Sequence, residues 1–239
     1  MPGIIKINES EISKQNISYY NEIAPDYDSI LENDAANKTI REKVANRFAE
    51  LVKKGSVLDF GGGTGQDLYW MKQQHYEVIF CEPSAAMRHI AIERSRKELD
   101  GINISFLDGG ETDFRNWPGK WPFEQKVDAV IANFAVVNCI PDIDLLFKNL
   151  ALITKPGSIV LALILNNSLR KRLRSNLKGT LLSFLSDQPI TYSIEYHERQ
   201  QSVYLHSNKA IKKAVSENFT FESSMPIAAG FSLIHLTRK

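Results

Sequence analysis

The chain has 239 residues, enough to bury a full core, and is best read as one domain with an elaboration. With 43% apolar and 24% charged residues it has the composition of a soluble globular protein. The formal charge of +1 argues against a general polyanion-binding surface and leaves room only for a local basic patch. Cys81 and Cys139 are the only cysteines. Both fall in apolar, strand-like runs and read as core thiols in a reducing compartment, not as a disulfide or a metal site.

The start, Met1 to Lys6, has no long apolar stretch, and Asn8, Glu9 and Glu11 follow at once, so no signal peptide is expected. The longest apolar run, Ile159 to Leu165, is too short to cross a bilayer. Zinc spacing and internal repeats are absent. These features predict a cytoplasmic protein without a metal or a membrane span.

In chain order, Ile40, Val44, Phe48 and Leu51 are spaced for one helix face that Gly55 stops. From residue 57 strand and helix alternate, the sign of a parallel sheet covered on both faces. Val57 to Phe60 is the first strand, and a helix from about Gln66 to Gln74 carries Leu68 and Met71 inward. Glu77 to Cys81 is the second strand. Pro83 and Ser84 open a helix with Met87, Ile90 and Ala91 as its stripe. Ile102 to Leu107 is the third strand, and Asp108 to Lys126 a long connection rich in Gly, Trp and Pro. Val127 to Ala132 is the fourth. Pro141 and Asp142 start a helix whose Leu145, Leu146, Leu150 and Ile153 face the sheet, and Pro156-Gly157 turns into the fifth strand, Ser158 to Leu165.

Regularity then breaks. Residues 166 to 187 look helical and basic, and Thr191 to Tyr196 with Gln201 to Leu205 alternate like a hairpin. Lys209 to Val215 reads as a helix, Phe219 to Glu222 as a short strand and Phe231 to Thr237 as a terminal strand. The expected organisation is a helical region, partly a lid, over 1–54 and a cofactor-binding core over 55–165. A substrate-covering insertion over 166–206 and a completion of the core sheet over 207–239 follow.

Val57-Leu58-Asp59-Phe60-Gly61-Gly62-Gly63-Thr64-Gly65 runs a buried strand into a glycine turn and then a helix. That order puts backbone amides beside a ligand at the carboxyl end of a strand. The pattern is not Gly-x-Gly-x-x-Gly: counted from Gly61, the third glycine position holds Gln66. Asp59 before the turn would oppose a pyrophosphate but suits a ligand bearing an ammonium and a sulfonium. Glu82, directly after the second strand, can accept both hydroxyls of a ribose.

On these motifs the chain resembles the class I S-adenosylmethionine-dependent methyltransferases, in particular the small-molecule branch related to ubiquinone and biotin biosynthesis methyltransferases. Val57 to Gly65 matches the family's first motif and Glu82 its ribose-binding acid. Val127 to Asn133 resembles the fourth-strand motif and Lys155 to Ser158 the turn before the fifth. Tyr20 to Asp28 looks like the N-terminal Ala-x-x-Tyr-Asp signature. The resemblance implies an α/β, Rossmann-like mixed sheet of seven strands in the order 3-2-1-4-5-7-6. The last strand is antiparallel, helices cover both faces and a helix-plus-hairpin insertion follows strand 5.

The same resemblance implies S-adenosyl-L-methionine as cofactor, leaving as S-adenosyl-L-homocysteine. By position, Asp59, Gly61, Gly62, Gly63 and Gly65 serve its methionine and ribose side, Glu82 the ribose, and the backbone at Asn133 the amino-acid end. Pro83 and Met87 flank adenine, and Tyr20 and Tyr27 close over the sulfonium. Similar enzymes often carry Gly-Asp-Ala after the third strand, whereas Gly110 stands at the Asp position here. The adenine contact therefore passes to Glu111, Thr112, Asp108 or the backbone.

Methyl transfer from a sulfonium chiefly needs alignment and exclusion of water, and a base only for an acceptor protonated at neutrality. The sequence therefore offers three weak catalytic candidates, His197, His206 and Asn138, against surface or capping roles for each. His75 reads as structural and His235 as packed. The run Arg170 to Arg174, with Lys178, is either a solvated helix face or a rim for an anionic acceptor or RNA. The leading expectation is methylation of a small-molecule acceptor. A tRNA or RNA methyltransferase and a non-catalytic cofactor-binding scaffold are the alternatives.

Overall fold

The computed structural model describes residues 9–32, 35–118, 125–165, 189–228 and 230–239. The expected basic helix over 166–187 lies outside them. Three helices lead the chain: α1 (Glu9–Ile23), α2 (Tyr27–Glu32) and α3 (Ala35–Leu51). The alternating unit follows as β1 (Ser56–Phe60), α4 (Leu68–Gln73), β2 (Glu77–Cys81), α5 (Ala85–Glu98), β3 (Ile104–Phe106), β4 (Val127–Ala132), α6 (Ile143–Ile153) and β5 (Thr154–Leu165). The remainder is a hairpin, β6 (Ile190–Tyr196) and β7 (Arg199–Leu205), then α7 (Asn208–Val215), β8 (Phe219–Ala228) and β9 (Phe231–Arg238).

The main sheet runs β3-β2-β1-β4-β5-β9-β8, with β6 and β7 paired separately. Setting that hairpin aside, this is the expected order. β1 to β5 are parallel, and β9 is antiparallel to both neighbours. Successive strand residues point to opposite faces, which divides the core. Leu58 and Phe60 pack with Phe147 and Leu150 of α6 on one side. Val57, Val78 and Phe80 pack with Ile40, Val44 and Phe48 of α3 on the other. Strands buried on both faces are apolar almost throughout, so β4 and β5 read as continuous runs.

Four boundaries depart from the sequence reading. α4 starts at Leu68 rather than Gln66, because the glycine turn continues through Gly65 and the Asp67 side chain makes no cap bond. β5 starts at Thr154: Pro156-Gly157 is not a turn before the strand but a bulge within it. The pairing jumps there from Val127↔Thr154 to Ala129↔Ile159, and Gly157 takes φ +81°. β3 is shorter than expected. β8 reaches Ala228 because pairing with β9 continues through two register shifts, and an edge strand tolerates Pro226.

The order of strands places a crevice where chain direction across the sheet reverses, at the carboxyl ends of β1 and β4. There the backbone of the turn after β1 is tied to the end of β2. Gly61 N and Gly62 N both donate to Cys81 O, at 2.7 and 3.2 Å.

Candidate active site

A cavity of about 470 Å³ opens over the carboxyl ends of β1, β2 and β4, within the range of small-ligand sites. Its floor is the glycine turn. Gly61 and Gly63 take φ of +75° and +60°, conformations that L side chains rarely adopt. Gly62 is required by space instead: a Cβ there would lie 2.3 Å from the Phe80 ring and 2.7 Å from Asp59 Oδ2. Asp59 sits behind the turn, 1% exposed, with Oδ2 lacking any hydrogen bond among the described residues. Burial, reinforced by the Asp67 charge, holds its carboxyl well above the usual range.

Glu82 stands over this floor. Its Oε2 accepts Gly63 N–H at 2.9 Å and its Oε1 accepts Ser84 N–H at 2.7 Å. An ionised carboxylate has about four acceptor positions, so roughly one on each oxygen is left for hydroxyls from the cavity. Burial pushes the Glu82 carboxyl up to about 7, against the opposing pull of the two amides.

The wall beyond β4 is built around Asp67. Its carboxylate accepts from Arg41 Nη1 at 2.5 Å, Trp70 Nε1 at 3.0 Å and Asn133 Nδ2 at 2.9 Å. Asn133 Oδ1 in turn accepts Phe134 N–H at 3.0 Å, so both ends of the Asn133 side chain are occupied, and the residue lines the cavity. Phe134 and Ala135 follow with φ of +49° and +65°. Such non-glycine conformations cost roughly 1 kcal/mol each and cluster at functional sites. Arg41 reaches this wall from α3, its guanidinium 4.6 Å from the Phe134 ring centre.

At the opposite edge the backbone of Gly109 and Gly110, with Thr112 and Asp113, meets the cavity. Asp108 does not: it caps this short turn by accepting Gly109 N–H at 2.7 Å and pairs with Arg88 at 2.5 Å. Asp113 holds Arg115 through three guanidinium bonds. The roof comes from α1 and α2. Tyr27 lies over the glycine turn, its ring 3.7 Å from where a Gly63 Cβ would be. Tyr20 O accepts Gln201 Nε2–H at 2.6 Å and lies 3.5 Å from Cys139 Sγ. Burial pushes the Tyr20 and Tyr27 hydroxyls and the Cys139 thiol upward, so all three are protonated near neutrality.

A family model described as a methyltransferase domain matches residues 32–221. The chain belongs to this methyltransferase family. It is 33% identical over 127 residues to an uncharacterized methyltransferase of Oceanobacillus iheyensis, covering 52% of this chain and 54% of that protein. It is 30% identical over 125 residues to another of Staphylococcus carnosus, covering 50% and 52%. The matched segment thus spans about half the length of these curated relatives. Among solved structures, DhpI complexed with S-adenosylhomocysteine superposes with a TM-score of 0.66 at 17% identity, over 97% of this chain and 98% of that one. The 1,6-didemethyltoxoflavin-N1-methyltransferase of Burkholderia thailandensis, with 1,6-didemethyltoxoflavin and S-adenosylhomocysteine bound, gives 0.69 at 15%, over 99% and 93%. At such identities the likeness is one of fold.

Of the residues singled out in the sequence, the cavity brings together Tyr20, Tyr27, Gly61, Gly62, Gly63, Glu82, Pro83, Met87, Thr112 and Asn133. Asp59, Gly65 and Glu111 are not on its wall. Gly65 packs against Ala91 and Leu68, and Glu111 contributes its carbonyl to Trp117 Nε1 at 2.9 Å. The three catalytic candidates lie elsewhere. Asn138 bridges the Tyr204 carbonyl and the Leu165 backbone N–H, both at 2.8 Å. His206 Nε2 bonds the Ile140 carbonyl at 2.9 Å inside the protein. His197 sits exposed in the β6–β7 turn, 3.9 Å from Glu22.

Cys139 is also corrected: it lies in a 3-10 turn (Val136–Cys139) on the cavity wall, not in a core strand. Sequence reasoning missed Arg41, Asp67 and Phe134. Arg41 and Asp67 carried a signal only as a pair of opposite charges off the apolar stripes of their helices.

Proposed function

We propose that this chain transfers the methyl group of S-adenosyl-L-methionine to a small-molecule acceptor, mainly by holding the two in line. One observation carries the reading: the Glu82 carboxylate and the Gly63 amide meet at the floor of one cavity. A nucleoside with an attached amino acid fits this donor and acceptor set. Glu82 takes the ribose hydroxyls through its remaining lone pairs. Arg41 faces the carboxylate of the amino-acid end, whose ammonium finds the Asn133 carbonyl. Pro83 and Met87 flank the base, whose polar edge meets the chain at Gly110 and Thr112.

Bound there, the cofactor supplies a methyl carbon on a sulfonium, with a neutral thioether as leaving group. Tyr27 and Tyr20 present aromatic faces and phenol oxygens towards that charge and keep water out. α1 contributes Ser13, Lys14 and Ile17 and the segment before α6 contributes Ile140 and Pro141, which together leave room for an acceptor beside Tyr20. The β6–β7 hairpin closes this side through Asn16, which pairs with Ser202 N and O at 2.8 and 3.3 Å. No side chain is assigned as base, and alignment supplies the rate. A small-molecule acceptor is in keeping with the 1,6-didemethyltoxoflavin held by the Burkholderia fold neighbour.

The test is methyl transfer from labelled S-adenosylmethionine into a fractionated metabolite extract, run beside Gly63→Arg. Label appearing in a small-molecule fraction with the native chain only supports the proposal. Label confined to RNA, or equal label with both proteins, rejects it.

A further inference from the structure

The shortest helix of the roof is fastened to the cofactor floor by one carboxylate. Asp28, in the first turn of α2, accepts from the Thr64 hydroxyl and from Gln66 Nε2, the latter at 2.8 Å. It also pairs with the Arg94 guanidinium of α5, whose other terminal nitrogen donates to the Thr64 carbonyl. α2, the glycine turn and α5 thus converge on a single side chain. Burial works to raise the Asp28 carboxyl, but the bonds from Thr64 and Arg94 and the Arg94 charge together hold it below the usual range.

α2 has six residues and an exposed Ile30, too short a helix to persist on its own propensity. Other polar ties nearby lead away from the glycine turn: Tyr196 reaches Asp26, just before α2, at 2.9 Å, and Asn37 of α3 reaches the Leu31 carbonyl at 3.0 Å. Among the described residues Asp28 alone bonds α2 to Thr64 and Gln66, and its neighbour Tyr27 is the ring over Gly63.

We propose that Asp28 is a positioning residue. Resting on the cofactor reading above, it latches α2 across the glycine turn so that Tyr27 stays shut over the bound cofactor. It touches no reacting atom. Its loss therefore frees the roof to open and shortens the cofactor's residence, while Glu82 and the floor remain intact. Arg94 acts through the same latch.

The test measures association and dissociation of S-adenosylhomocysteine by stopped-flow on the native chain, Asp28→Ala, Asp28→Asn, Arg94→Met and the Asp28→Ala/Arg94→Met double variant. Amide exchange of residues 26–32 is followed in the unliganded proteins. Losing a charge-assisted bond of this kind predicts roughly tenfold or more faster dissociation for Asp28→Ala. Association changes little, exchange across α2 is faster, and Asp28→Asn falls between. Arg94→Met adds little once Asp28 is gone. With the native chain binding, unchanged dissociation in Asp28→Ala, or exchange across α2 no faster there than in the native chain, overturns the latch alone. A native chain that binds no S-adenosylhomocysteine overturns the cofactor reading and the latch's role with it. A fall in melting temperature with an unchanged dissociation rate marks Asp28 as merely structural and also overturns it.

Discussion

Glu82 and Gly63, nineteen residues apart, meet through a 2.9 Å bond from the Gly63 amide to Glu82 Oε2. The parallel pairing Phe60↔Cys81 brings the ends of β1 and β2 side by side, so the turn after one and the acid after the other share a cavity. Removing the carboxylate with Glu82→Ala strips acceptors from Gly63 N, Ser84 N and the ribose together. Two charge-assisted bonds of about 1.5–3 kcal/mol each predict at least a hundredfold weaker S-adenosylhomocysteine binding, measured by calorimetry.

The same carboxyl sets a pH dependence. Its pKa rises from 4.5 to about 7 in the folded chain, mainly through burial. Between those values the folded protein keeps a proton that the unfolded chain has released. Its contribution to unliganded stability is therefore present below about pH 4.5 and lost as pH rises through about 7. Cofactor affinity runs the other way, since ribose hydroxyls need the ionised form. S-adenosylhomocysteine binding should weaken by up to about tenfold per pH unit below 7 and level off above it. Glu82→Gln should flatten that profile.

The glycines of the turn separate space from backbone conformation. Gly62→Ala forces a methyl into Phe80 and Asp59, with an expected loss of about 1–3 kcal/mol in urea unfolding. Gly63→Ala meets only the Tyr27 ring at 3.7 Å and bears the strain of φ +60°, about 1 kcal/mol. A larger loss at Gly63 than at Gly62 would contradict the geometry.

Arg41 and Asp67 form a largely buried pair, their side chains 19% and 5% exposed. Arg41→Met leaves the Asp67 charge without its partner, and breaking a buried pair from one side costs about 3–5 kcal/mol. Adding Asp67→Asn should restore part of the stability, because the buried charge is gone and Trp70 keeps an acceptor in Oδ1. Cofactor affinity should stay low in the double variant, because Arg41 is still missing. Recovery of both would deny Arg41 its place at the carboxylate.

The legible parts of this molecule were those written in short spacings. The glycine turn, the acid after β2 and the alternation of strand and helix all lie within local windows, and the structure places them as the sequence implies. What the sequence hid depends on distant partners. Arg41 sits beside Ile40 on a helix whose apolar stripe says nothing about Asp67, 26 residues on. Asn138 and His206 looked reactive, yet both are spent on backbone carbonyls 66 residues away. Pro156-Gly157 reads locally as a turn, and only its register against β4 makes it a bulge.

The most direct measurement is a calorimetric titration of the native chain with S-adenosylhomocysteine and, separately, with NAD. One saturable site for S-adenosylhomocysteine and no heat from NAD is the predicted result. Binding of NAD, or no binding of S-adenosylhomocysteine by a folded protein, would contradict the claim that this cavity holds the methyl donor.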